Sequence, residues 1–85
     1  MNIKFKEKLA AREVAGELYV VDIEAETLHS LNPPASLIWA CLKKGLTAAG
    51  TAARLAGEFE VTKEEAEADV EAFIKVLEAK GLVKK

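Results

Sequence analysis

The sequence predicts an α+β domain in which a small three-stranded antiparallel sheet is followed by three helices, a winged-helix-like order βββααα. Three observations carry this. The segment Glu17-Leu18-Tyr19-Val20-Val21-Asp22-Ile23-Glu24 is dense in β-branched and aromatic residues, the composition of a strand packed on a core. Pro33-Pro34 then closes the strand region, because proline cannot donate to a ladder but is preorganised for a first helical turn. Beyond it, apolar residues recur at helical spacing up to Gly81.

The strands differ in how clearly they are written. Ala15-Gly16 reads as a tight turn, since glycine accepts positive φ without a Cβ clash, and it separates residues 17–24 from a preceding segment, residues 8–14. That earlier segment holds Ala10, Ala11 and several charges, a composition that suits a strand or a helix; cross-strand charge pairing favours the strand. Residues 1–7 precede this segment and are expected to be flexible. After the polar turn at Glu24-Ala25-Glu26, the run Thr27-Leu28-His29-Ser30-Leu31 is a short third strand. Three strands are too few to stand alone and need helices over one face.

The first helix starts at Pro33-Pro34 and places Ala35, Ile38, Trp39 and Leu42 on one face, with Trp39 as the expected core anchor. The second takes Thr47 as its N-cap and buries Ala52, Leu55, Ala56 and Phe59. Gly50 and Gly57 each cost it up to about 1 kcal/mol relative to alanine. The third is the best signalled: Thr62-Lys63-Glu64-Glu65 is a capping box, and Ala66, Val70, Phe73, Ile74 and Leu77 follow at helical spacing.

Composition narrows the functions. With 85 residues the chain holds one domain, residues 1–85, with too small a core for a deep catalytic cavity. Twelve Lys and Arg against fourteen Asp and Glu give a net charge of −2, which argues against a general polyanion binder. A single cysteine, Cys41, cannot make an internal disulfide, and a reducing cytoplasm fits. No signal peptide and no long apolar span points to a membrane. His29 and Cys41 are the only imidazole and thiol, too few for a zinc, haem or iron–sulfur site, and no phosphate loop is present, so no cofactor is expected.

The remaining chemistry-bearing residues read as structural. Glu64, Glu65, Glu67, Asp69 and Glu71 lie in the first half of a helix, where carboxylates meet the macrodipole and stay solvated. His29 has no partner that would make it a base, and Cys41 sits one position off an apolar stripe as a semi-buried small residue. A winged helix-turn-helix would read DNA with its last helix, but residues 62–80 carry three lysines against six carboxylates and would repel phosphates.

The order of short motifs resembles the PqqD family, the small proteins named for pyrroloquinoline quinone biosynthesis and also known as RiPP recognition elements. The residues are Arg12-Glu13-Val14-Ala15-Gly16-Glu17, Leu31-Asn32 before a helix with Ile38-Trp39, then Thr47, Leu55, Phe59 and Val61, then Asp69-Val70 with Phe73, Leu77 and Gly81-Leu82-Val83. The chain departs from the pattern at Gly50 and Thr51, where such proteins usually carry a glutamate and an apolar residue, so a loosely packed second helix is expected. The resemblance implies a non-catalytic peptide chaperone. Its partners would be the leader segment of a ribosomally made precursor and a modifying enzyme, commonly a radical S-adenosylmethionine enzyme, with no nucleic acid and no membrane.

In that reading the third strand offers its outer edge, through Thr27, Leu28, His29, Ser30 and Leu31, for an extended peptide to join as a further strand. The third helix would form the other wall. Val70, Ile74 and Leu77 are the groove candidates and Phe73 is assigned to the core, although periodicity alone does not separate two apolar faces. Glu67 and Glu71 would form an acidic rim favouring leaders with Lys or Arg. The competing readings are a winged-helix DNA binder and a plain interaction or dimerisation domain, as monomer or homodimer.

Overall fold

The computed structural model describes residues 3–84. Along the chain these form β1 (Lys4–Phe5), β2 (Leu9–Val14), β3 (Glu17–Asp22), β4 (Thr27–Leu31), α1 (Pro33–Lys43), α2 (Ala48–Phe59), α3 (Lys63–Ala79) and β5 (Val83–Lys84). The main sheet is antiparallel in the order β2-β3-β4, and β1 pairs with β5 in a separate two-stranded ribbon. The expected βββααα order is present, with the doubtful segment before Gly16 forming β2.

Local chemistry explains the strand connections. Ala15 and Gly16 take φ values of 54° and 83°, the two positive angles of a type I′ turn, whose twist matches that of the strands it joins. The turn between β3 and β4 is closed by Asp22, whose Oδ1 accepts from the Ala25 N–H at 3.1 Å. This ends β3 at Asp22, two residues before the end expected from composition.

Within residues 1–7, expected to be flexible, Lys4, Phe5 and Lys6 make backbone pairings and Ile3 packs against the core. Lys4 pairs with Lys84 and Phe5 with Val83, while the Lys6 N–H donates to the Leu82 carbonyl at 2.8 Å. The Phe5 ring meets Trp39 edge-on at 4.8 Å, and the Lys43 ammonium lies 4.7 Å from the Phe5 centroid. The signal was the alternation Ile3-Lys4-Phe5-Lys6, which has the period of a half-buried strand. Met1 and Asn2 lie outside the described residues.

Each helix begins with a side-chain cap. Asn32 Oδ1 accepts from the Ala35 N–H at 3.0 Å, and Thr47 Oγ1 accepts from the Gly50 N–H at 3.0 Å. At α3 the capping box is reciprocal: Glu65 N–H donates to Thr62 Oγ1 at 3.1 Å, and Thr62 N–H donates to Glu65 Oε1 at 3.3 Å. The core then forms between the sheet and the helices from Val20, Leu31, Ile38, Trp39, Leu42, Leu55, Val70, Ile74, Leu77 and Leu82. Trp39 is 4% exposed, as a core anchor should be. Cys41, expected to be semi-buried, is buried.

The second helix is tighter than its sequence suggested. Thr51 is fully buried, and its hydroxyl donates to the Thr47 carbonyl at 2.9 Å, so a polar residue sits in the core without an unmet hydrogen bond. A Cβ at Gly50 would come within 3.3 Å of Thr47 Oγ1, the atom that caps the helix, whereas a Cβ at Gly57 would meet nothing within 4 Å.

Ser36 joins the two layers. The Leu18 N–H donates to Ser36 Oγ at 3.2 Å, and the Ser36 hydroxyl donates to the Leu31 carbonyl at 3.1 Å, which ties α1 to both β3 and β4. On the same inner face of the sheet Asp22 is 2% exposed and accepts from Lys6 Nζ at 2.8 Å. This bond, and then the one from the Ala25 N–H, holds the Asp22 carboxyl below its ordinary range.

Two outcomes follow from this packing. Gly57→Ala should raise the melting temperature, since an open helical glycine costs up to about 1 kcal/mol relative to alanine; a lowered melting temperature would show that the space is closed in solution. A depressed carboxyl stabilises the fold above its unfolded value of about 3.9, and that contribution is lost as pH falls through the folded value. Asp22→Asn should therefore melt below the parent at pH 7, with the gap closing as pH drops below about 4. A gap that stays constant down to pH 2 would assign the effect to packing instead of charge.

Candidate functional site

The register of the sheet determines which backbone groups are free. The Ile23 N–H donates to the Lys8 carbonyl at 3.1 Å, so the odd-numbered residues of β3 bond toward β2 and the even-numbered ones toward β4. The pairs Leu18↔Leu31, Val20↔His29 and Asp22↔Thr27 are then the bonded rungs with β4. The N–H and C=O groups of Leu28 and Ser30 point off the sheet. β4 is thus an edge strand with an open ladder of two residues.

The side chains of β4 alternate across the sheet. Thr27, His29 and Leu31 share the face of Val20 and Asp22, which the helices cover; Leu31 is buried, His29 is half-buried, and Thr27 Oγ1 lies 3.2 Å from His29 Nε2. Leu28 and Ser30 lie on the opposite face, with Leu28 65% exposed. All five residues expected at the edge are therefore on the edge strand, but only Leu28 and Ser30 have free main-chain groups.

α1 packs on both β4 and α3, and so connects the open sheet edge to the third helix.

On α3 the three expected groove residues are core residues: Val70, Ile74 and Leu77 are 0%, 2% and 1% exposed. Phe73, assigned to the core from sequence, is half-buried and packs against that core, and Val76 is 45% exposed. The reason is geometric: Ala66, Val70, Ile74 and Leu77 form the one stripe that seals against α1, α2 and Leu82, and residues 73 and 76 fall on its flank. Glu67 and Glu71 also move. They line a shallow depression with Ala48 and Ala49 of α2, on the flank of α3 opposite to Phe73 and Val76. The flank turned away from α2 reads Asp69, Phe73, Val76 and Lys80, one carboxylate and one ammonium about two apolar side chains. Val76 could have been found from sequence as a large apolar residue off the core stripe.

Among the described residues no group of His, Cys, Asp and Glu is arranged to hold a metal ion, and no helix is long and apolar enough to cross a membrane.

Comparison with known proteins fits this geometry. Residues 17–83 match the model of the family described as Coenzyme PQQ synthesis protein D (PqqD). No curated protein matches the chain. Two solved structures share its fold over nearly the whole length. One is titled "Lasso peptide synthetase B1 complexed with the leader peptide", with a TM-score of 0.91 at 24% identity, covering 100% of both chains. The other, "TbiB1 in Complex with the TbiA(beta) Leader Peptide", has a TM-score of 0.87 at 21% identity and covers 95% of this chain and 94% of that one.

The two flanks of α3 can be told apart by stability. Ile74→Glu would bury a carboxylate in the core and should cost several kcal/mol, whereas Val76→Glu should stay within about 0.5 kcal/mol of the parent. Chemical denaturation of both variants measures this; equal losses would mean that Val76 is as enclosed as Ile74.

Proposed function

The chain belongs to the PqqD family, and from that premise we propose that it is a non-catalytic binding module for the leader segment of a ribosomally made precursor peptide. The leader adds as a strand to the free edge of β4, and the module presents it to a modifying enzyme, in this family commonly a radical S-adenosylmethionine enzyme. The observation that carries the reading is the open ladder at Leu28 and Ser30 on an edge strand that packs on α1. The leader peptides named in the titles of the two structural neighbours support it.

The physical case is one of main-chain recognition. An incoming strand satisfies the Leu28 and Ser30 groups, which gives affinity with little dependence on sequence, and its alternate side chains select. The other sheet edge, β2, borders a depression lined by Glu13, by Pro33, Leu37 and Ala40 of α1 and by Phe59 of α2, so it is the rival edge for an added strand. On this reading the Phe73 and Val76 flank of α3 forms the second wall for the added strand. Val70, Ile74 and Leu77 hold that wall in position from behind. With Glu67 and Glu71 on the far flank, the preference for Lys- or Arg-bearing leaders loses its basis, and apolar side chains of the leader become the selected feature.

Titration with synthetic leader peptides of ribosomally made precursors, including those in the two neighbouring complexes, tests the reading. Leu28→Pro removes an outward donor at an edge position where proline is tolerated, and should weaken binding by about tenfold or more. Ser30→Ala keeps the main-chain donor and should stay within about twofold, while Val76→Glu should weaken binding by placing a charge at the apolar wall. Circular dichroism establishes that each variant is folded. Folded Leu28→Pro and Val76→Glu variants that both hold the leader as tightly as the parent would overturn strand addition at β4.

A further inference from the structure

The outer face of the main sheet, turned away from all three helices, is the least solvent-adapted surface of the molecule. Of the five large hydrophobic side chains exposed among the described residues, four gather there: Val14, Val21, Ile23 and Leu28, at 51%, 38%, 54% and 65% exposure. Ala10, Val21 and Leu28 are neighbours in one rung that crosses the whole sheet. Exposed apolar residues scattered singly need no explanation, but a rung with continuous neighbours on the face no helix covers marks a contact surface.

Charge on this face is uneven. Arg12 lies in the next rung, paired through Tyr19 to Ser30, and among the described residues it has no carboxylate within ion-pair distance. The one carboxylate of the face, Glu17, accepts from the Tyr19 hydroxyl at 3.0 Å. A second copy of the chain is a poor fit. Stacking two such faces with aligned strands sets β2 over β2 or β2 over β4, and neither strand offers a carboxylate on that face to meet Arg12.

We infer that this outer face docks the leader-modifying enzyme, through an apolar patch on that enzyme bordered by a carboxylate that pairs with Arg12. The inference rests on the proposed function above and extends it. A leader strand added to β4 places alternate side chains beside Leu28 and Ser30, on this same face. The enzyme then meets a surface continuous from Ala10 to the leader and holds the loaded module more tightly than the empty one.

The test uses the purified chain, a synthetic leader that it binds, and a purified radical S-adenosylmethionine enzyme that modifies that leader's precursor. Binding of the enzyme is measured by interferometry with and without leader, and leader affinity is measured on the chain alone. The parent should bind the enzyme more tightly when loaded. Arg12→Glu and Val21→Ser should each weaken the enzyme by about tenfold and leave leader affinity within about twofold. Loss of leader binding by the parent would sink the proposed function; retained leader binding with both variants docking the enzyme like the parent would sink this inference alone. So would an enzyme that ignores the loaded parent, or sedimentation showing a dimer that Val21→Ser converts to monomer, since the face would then belong to a second copy.

Discussion

A three-stranded sheet has one strand bonded on both sides and two that are not, and the rest of this molecule is arranged around what those two edges are left to do. β3 is the bonded strand, and its register with β2 and β4 determines every free main-chain group on the sheet. One face is covered by helices because an isolated sheet of this size does not hold. The Ser36 hydroxyl, bridging Leu18 and Leu31, fixes α1 to the two strands that matter for the open side. Once α1 is fixed there, it carries α3 on its other side and leaves the outer edge of β4 free.

The division of labour on α3 has the same origin. A domain of 85 residues has little apolar surface to spare, so the stripe of Ala66, Val70, Ile74 and Leu77 is consumed in closing the core. On the proposed reading, what remains for a ligand on α3 is the flank of Phe73 and Val76, half-buried and exposed respectively. Recognition by the backbone of an edge strand suits such an economy. It needs two residues with unmet hydrogen-bonding groups and one modest apolar wall, not a preformed pocket.

How much of this was legible in the sequence follows from whether the cause is local. The Ala15-Gly16 turn, the Asn32 and Thr47 caps and the Thr62–Glu65 box are set by residues within three positions of one another, and the sequence exposes them directly. The edge position of β4 was also readable, because proline ends the strand region. Pairing of β1 with β5 was not, since it joins opposite ends of the chain, although the alternation Ile3-Lys4-Phe5-Lys6 carried the period of a strand. The faces of α3 failed for a different reason. Periodicity gives the angle of a residue around its own helix but not which neighbour occupies that angle, so Glu67 and Glu71 were placed beside the sheet edge when they face α2, and Val70, Ile74 and Leu77 were offered to a groove when they close the core.

The central claim is that a peptide strand bonds to β4 through Leu28 and Ser30, and amide hydrogen exchange followed by NMR reads those two groups individually. In the free chain they should exchange quickly, while His29 and Leu31, already bonded to β3, exchange slowly. Saturation with the leader peptide should slow the Leu28 and Ser30 amides by orders of magnitude and leave the outward amides of β2, at Leu9, Ala11 and Glu13, unchanged. Protection that appears on β2 instead, or leader binding that leaves Leu28 and Ser30 exchanging as in the free chain, would contradict the account.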